Sequence, residues 1–442
     1  MLSPTNSCAR LASRSEVIPA LAARTSFVST VAQRTQLLVV VSALIALALK
    51  LVIAMNTFGT NDVIALYQFG ACLTQHGLYW TYKNVVAFNH PPLVAYFLQA
   101  TFRLSQLPLL LHNGLTFPFW IRLPGIFADF VMVLVVLAVS RQLSTRIPVW
   151  ALHVFALSPV SLMITGFHGN TDPLMVLFLS LATYMVFKNR PIGCGLFLAL
   201  SCQIKIIPLL LLPIFIFFWA SRRSFVKFSV PFTLCMVIGW LEPLTQFPIL
   251  FCKSVLSYGS FWGLWGITYW LRLTGWWQFE KVTFHDLLPA ENVVATVLKL
   301  LIIAGVLLIA WRRRHGRAED LCYSIGYAWI IFFVFSPGVC AQYMVWLAPS
   351  ILLLSPPLFG WLTAASSLFL FFFYNTIAHG LPWYLGISQG KDNEKWLPWS
   401  IWPWGVLIAA MLVLWQNKRR EDPGFYLFSL KPIGHPLSLD AS

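Results

Sequence analysis

Asp62, His168, Asp172 and Lys205 are the residues best placed to do chemistry, because each is an ionisable side chain at the edge of an apolar run. Asp62 sits in Gly59-Thr60-Asn61-Asp62, a few residues past the first such run. An Asp there either caps the following helix or acts as a general base that takes the proton of an attacking hydroxyl. In the second role, partial burial under a surface helix would raise its pKa into a useful range. His168-Gly169-Asn170-Thr171-Asp172-Pro173 packs polar residues between two apolar runs. Asp172-Pro173 can start a helix, but His168, Asn170 and Asp172 together exceed what a cap needs, and they read as the lining of a site. Lys205, in Gln203-Ile204-Lys205-Ile206-Ile207-Pro208, is either a snorkelling lysine or the cation for an anionic headgroup.

Further candidates have the same character. His90 precedes Pro91-Pro92, a rigid corner. Gln342 and Tyr343 follow Phe335-Ser336-Pro337 in another proline-broken corner, where Tyr343 and Trp346 also suit an interfacial aromatic belt. Arg122 and Asp129 lie seven residues apart and share a helix face, as an ion pair with other helices or, for Arg122, as a phosphate contact. His379 ends an apolar run, where an imidazole can donate to phosphate. Ions at membrane depth are costly unless paired or facing a polar cavity, so each needs a partner.

The elements that must position these residues are membrane helices. The 442-residue chain is 58% hydrophobic and 10% charged, against roughly 25% charged in soluble proteins. About twelve apolar spans run near 36–55, 116–139, 148–165, 172–187, 192–204, 207–220, 225–241, 290–311, 321–336, 341–354, 358–377 and 400–416. The fold class is therefore an all-α polytopic membrane protein. Short loops rich in Lys and Arg mark the cytoplasmic side. With the N-terminal tail inside, 19 of the 30 Lys and Arg but only 6 of the 15 acids fall there. The basicity is thus a topology signal and needs no nucleic acid. Residues 1–35 read as a cytoplasmic basic tail, with a weaker likeness to a transit peptide, and 417–442 as a second cytoplasmic tail. The intervening 36–416 form the membrane domain. Its external loops are 56–115, 242–289 and 378–399, so every candidate above lies toward one extracytoplasmic face, in a bacterial cytoplasmic membrane or the endoplasmic reticulum. In the first loop, Asp62 precedes a helix-like run from Val63 to Gln75 with Gly77 past its end, and Pro91-Pro92 opens another from Leu93 to Leu104. Both read as helices lying on the membrane surface. The eight cysteines show no CxxC pairing and no zinc spacing. Cys72, Cys252 and Cys340 fall near the outer face, where one disulfide has room.

With these motifs in order, the chain resembles the GT-C membrane glycosyltransferases that use polyprenyl-phosphate mannose or glucose, including the N-glycan glucosyltransferases and bacterial mannosyltransferases. The likeness rests on Asp62 after the first span, Tyr82 with Pro91-Pro92-Leu93, and Arg122-Leu123-Pro124 with Asp129. Gly169-Asn170-Thr171-Asp172, Lys205 before Pro208, and Gln342-Tyr343 with Trp346 and Pro349 extend it. It runs from about residue 56 to 380. It implies a hexose passed from a polyprenyl- or dolichyl-phosphate sugar to a lipid-linked or glycan acceptor, with inversion. Asp62 would then be the base, and Lys205, Arg122 and His379 would hold the donor phosphate. His90, His168, Asn170, Asp172, Gln342 and Tyr343 would line the substrate pocket. Some relatives carry two acids separated by one residue in the first loop; here that position is Thr60, so no metal-binding pair is present and no cofactor is implied. The competing expectations are a lipid or sugar transporter, which keeps its site near the bilayer midplane, and a non-catalytic subunit of the same family.

Overall fold

The computed structural model describes residues 34–256, 262–280, 286–388 and 393–417. Most of both tails, and parts of the loops expected at 242–289 and 378–399, lie outside the described residues. Helices dominate, as the apolar runs require. Among the described residues, six are long and apolar enough to cross a membrane. They are α1 (Arg34–Asn56), α4 (Phe117–Ser140), α5 (Val149–His168), α10 (Pro289–Arg312), α11 (Ala318–Phe335) and α13 (Pro356–Ile377). Shorter apolar helices sit where the remaining spans were expected: α6 (Asp172–Phe187), α7 (Pro191–Ile204), α8 (Leu212–Ser221), α9 (Phe225–Gly239), α12 (Met344–Leu354) and α14 (Ile401–Asn417). At 1.5 Å per residue, α7 covers only about 21 Å of a hydrocarbon layer roughly 30 Å thick. Its start at Pro191 and its end before Pro208 set that length. Prolines also open α4, α6, α10 and α13 in their first turns, where the missing N–H costs nothing.

The helices pack around one large apolar core, with smaller clusters at Ala199, Cys202 and Met236 and at Trp262, Phe279 and Ala295. Within it α7 lies against α6 and α9, α6 against α4, α11 against α10 and α12, and α13 against α14. Trp219, Trp265, Trp329 and Trp346 are fully buried there. By contrast α1 and α10 are only 33% and 28% buried and present Leu37, Leu44, Met55, Val297, Leu300 and Leu307 outward. An outward surface that apolar is covered by lipid; this is a membrane protein.

The two helices expected in the first loop are present as α2 (Asn61–Asn84) and α3 (Pro92–Ser105). Gly77, with φ +79°, breaks α2 near the expected end. The two helices pack on each other, and Tyr96 of α3 donates to Glu242, just beyond α9. A two-residue parallel bridge joins β1 (Gly59–Thr60) to β2 (Leu385–Gly386), tying the segment before α2 to the loop after α13. None of the described cysteines is disulfide-bonded, Cys72, Cys252 and Cys340 included.

Candidate functional site

Asp62 is positioned by two backbones in direct contact. The last turn of α5, Leu162–His168, widens into a π-turn and stops at Gly169, whose φ is +81°. Gly59 has φ +106°, and a Cβ there would lie 2.8 Å from the carbonyl oxygen of Phe167. One on Gly169 would lie 2.5 Å from Val63. Only glycine permits this approach. It lets the Thr60 hydroxyl donate to the His168 carbonyl (3.0 Å) and accept from the Asp62 N–H (3.3 Å). Thr60 is therefore the cap of α2, and the Asp62 carboxylate is not spent on capping.

That carboxylate is held from one side. His168 Nε2 and the Gln342 amide both meet Oδ2, at 2.9 and 3.2 Å. Oδ1 takes no hydrogen bond among the described residues. A carboxylate only accepts, so Nε2 of His168 carries the proton, and its Nδ1 faces the buried Tyr374 hydroxyl at 3.0 Å. Asp62 is enclosed by protein on many sides, yet about a third of its side chain (34%) remains open. It lies in a cleft.

A second cluster adjoins the first. Asp172 begins α6, and the Asn170 side chain caps its N–H at 3.3 Å, so here too the acid is spared. Its oxygens take Lys205 Nζ (2.7 Å) and the Trp346 indole N–H (2.8 Å). Lys205 is the residue at which α7 stops, in extended backbone. Its ammonium lies 4.3 and 4.9 Å from the ring centres of Tyr343 and Trp346, which stack on each other 4.0 Å apart. Gln342 and Tyr343 lie in the tight turn Ala341–Tyr343 that leads into α12, and Trp346 in its first turn, so one corner of chain touches both carboxylates. A cavity of about 530 Å³ opens beside Lys205, Tyr343 and Trp346 and continues between apolar side chains such as Leu209, Ile302, Val306 and Phe332.

Electrostatics binds the clusters together. Burial pushes the Asp62 carboxyl up, but His168, Lys205 and His90 outweigh it and hold the group below its ordinary value. The expectation of a raised pKa is thus corrected, because the carboxyl at the start of α2 is buried beside His168, Lys205 and His90, which together oppose the effect of burial. His90 sits against Phe69 and Phe88. Burial and Lys205 lower its pKa to about 4 against the opposing pull of Asp62.

Eight of the expected residues thus converge: Asp62, His90, His168, Asn170, Asp172, Lys205, Gln342 and Tyr343. Two do not. Arg122 is buried, and its guanidinium donates to the carbonyls of Ala54, Thr57, Phe58, Pro118, Gly166 and Phe167 and to the Thr57 hydroxyl. With its donors engaged it braces the loop carrying Asp62, and is corrected from phosphate ligand to scaffold. His379 is exposed at φ +57° in the loop after α13, and contacts none of the converging residues. Asp129 pairs with Lys50, at 2.8 Å, rather than with Arg122. Trp346 is a buried partner of Asp172, not a belt residue. Tyr374 was not anticipated; inside Phe371-Phe372-Phe373-Tyr374 it reads as packing, and only its partner His168, 206 residues earlier, reveals it.

Comparison with protein-family models and with curated proteins finds no match.

Proposed function

We propose that this protein is an inverting glycosyltransferase of GT-C type, moving a hexose from a polyprenyl-phosphate sugar to an acceptor hydroxyl on the extracytoplasmic face. In this reading the shorter helices complete about twelve membrane passages, both termini are cytoplasmic, and α2 and α3 lie on the outer surface. The observation that carries the reading is the geometry of Asp62. One oxygen is fixed by His168 and Gln342 and the other is open, in a cleft whose neighbouring cavity combines a lysine with apolar walls. An open carboxylate suits the removal of a hydroxyl proton; a cation beside an apolar cavity suits a phosphate with a long hydrocarbon tail.

The reaction is a single displacement. The acceptor oxygen attacks the anomeric carbon as its proton passes to Asp62 Oδ1. The bond from that carbon to the phosphate oxygen breaks, and its electron pair stays on the phosphate. Attack from the face opposite the leaving group inverts the centre. Lys205 faces the charge that gathers on the phosphate. His168 orients Asp62, and Tyr374 in turn fixes the His168 tautomer. The gathering of these groups at one end of the bundle argues for an enzyme over a carrier, whose site would lie at mid-bundle.

The test is transfer of radiolabelled sugar from polyprenyl-phosphate mannose and glucose to a membrane-lipid extract by purified protein. Wild type forms a labelled product with one donor, and Asp62→Asn loses turnover while binding the donor nearly as before. Normal turnover by Asp62→Asn would remove the proposed base.

A further inference from the structure

The charge balance of the cavity beside Lys205 leaves something over. Lys205 is already neutralised by Asp172 at 2.7 Å, as Lys50 is by Asp129. A second ammonium lines the same cavity, that of Lys299. Lys299 is the eleventh residue of α10, so about 15 Å of helix separates it from the α10 start. In the proposed orientation this puts Lys299 inside the outer part of the hydrocarbon layer, where an unpaired cation is costly. It is exposed, not buried, and has no ion-pair partner among the described residues. Its neighbours along the helix, Val297, Leu300 and Leu301, are large apolar residues that face outward. An unpaired cation at that depth, on the wall of a cavity that already holds a lysine, is suited to an anion that enters from the membrane.

We propose that Lys299 binds the phosphate of the lipid product and supplies the net positive charge that the Lys205–Asp172 pair lacks. This rests on the transferase reading for its ligand. A polyprenyl-phosphate sugar is a phosphodiester with one negative charge. When the sugar leaves, the remaining monoester gains a second ionisable oxygen and carries between one and a half and two charges at neutral pH. The Lys205–Asp172 pair is neutral overall and cannot match that increase. Lys299 matches it, so the cavity favours the monoester over the diester. Interactions that strengthen as the reaction proceeds are the ones that accelerate it. The same preference makes the spent lipid phosphate a product inhibitor.

The experiment measures binding of four probes to the full-length protein in nanodiscs: undecaprenyl monophosphate, its methyl diester, undecaprenol and inorganic phosphate. Wild type binds the monoester about tenfold tighter than the diester, a difference of about 1.4 kcal/mol. Inorganic phosphate binds far more weakly than the lipid forms, which identifies a lipid headgroup as the source of the anion. Lys299→Met abolishes the monoester preference and leaves undecaprenol binding unchanged, and Lys299→Arg restores the preference. Equal binding of monoester and diester by wild type overturns the proposal without recourse to any variant, as does a preference that survives in Lys299→Met. Wild type that binds neither phospholipid overturns this proposal and the transferase reading together. Monoester preference without any sugar transfer would sink the transferase reading alone.

Discussion

The Asp62–His168–Tyr374 chain runs from an open carboxylate oxygen into the bundle interior, and each link has a different job. The Tyr374 hydroxyl donates a hydrogen bond to His168 Nδ1, which leaves Nε2–H for Asp62. Tyr374→Phe keeps the ring packing and removes that hydroxyl, so the neutral imidazole is free to place its own proton on Nδ1. The expected result is a kcat about tenfold lower, worth ~1.4 kcal/mol, with KM nearly unchanged. Steady-state kinetics of sugar transfer would show it, and an unaltered kcat would deny Tyr374 any part. Two groups outside the spans, Asp62 and His90, bear on the pH response near and below neutrality. Asp62 is held below its ordinary value, so it is ionised throughout the neutral range and sets no limit on activity there. His90 is depressed from 6.5 to about 4. The folded protein resists its protonation while the unfolded chain does not, so its stabilising effect is complete above pH 6.5. That effect is lost progressively as pH falls toward 4. His90→Gln should flatten the fall in thermal midpoint over this window; an identical slope in both proteins would place the titration elsewhere.

At the scale of elements, the contact between β1 and the last turn of α5 decides whether the site exists. Gly59→Ala puts a methyl 2.8 Å from a carbonyl oxygen and 2.9 Å from Val63, at a φ of +106°. A strained φ of this kind costs on the order of 1–3 kcal/mol. We expect a thermal midpoint lower by several degrees and a larger fractional loss of transfer, because Asp62 moves away from His168. Gly77→Ala meets nothing within 4 Å and pays only its backbone strain, so it should keep more activity. These elements were legible in the sequence to different degrees. The long spans announce themselves by hydropathy, Gly77 and Pro91-Pro92 by backbone constraint, and Asp62, His168 and Asp172 by polarity at the ends of apolar runs. The partners were not legible. Lys50 in Leu47-Ala48-Leu49-Lys50 and Tyr374 in a run of Phe look like snorkelling and packing until helices distant in sequence bring Asp129 and His168 to them. Arg122 shows the opposite failure: a cation near the right end of the right helix, yet enclosed by backbone carbonyls.

For the molecule as a whole, the proposed orientation makes Lys83 extracytoplasmic and His315 cytoplasmic. Both are exposed. With the native cysteines replaced, a membrane-impermeant maleimide added to intact cells or spheroplasts should label Lys83→Cys and spare His315→Cys until the membrane is opened. The reverse pattern would turn the protein over and place its chemistry in the cytoplasm. The clasp between Gly59–Thr60 and Leu385–Gly386 has a further meaning for a chain made from one end. Asp62 leaves the ribosome early, but Gln342 follows it by 280 residues, and Tyr374 follows His168 by 206. In the proposed transferase the base would therefore lack its partners for most of translation, and the site would be complete only when the segment carrying Leu385–Gly386 meets Gly59–Thr60. Under the proposed function, a prematurely terminated chain would carry every early motif without the partners of Asp62, so an interrupted message would yield no half-built transferase.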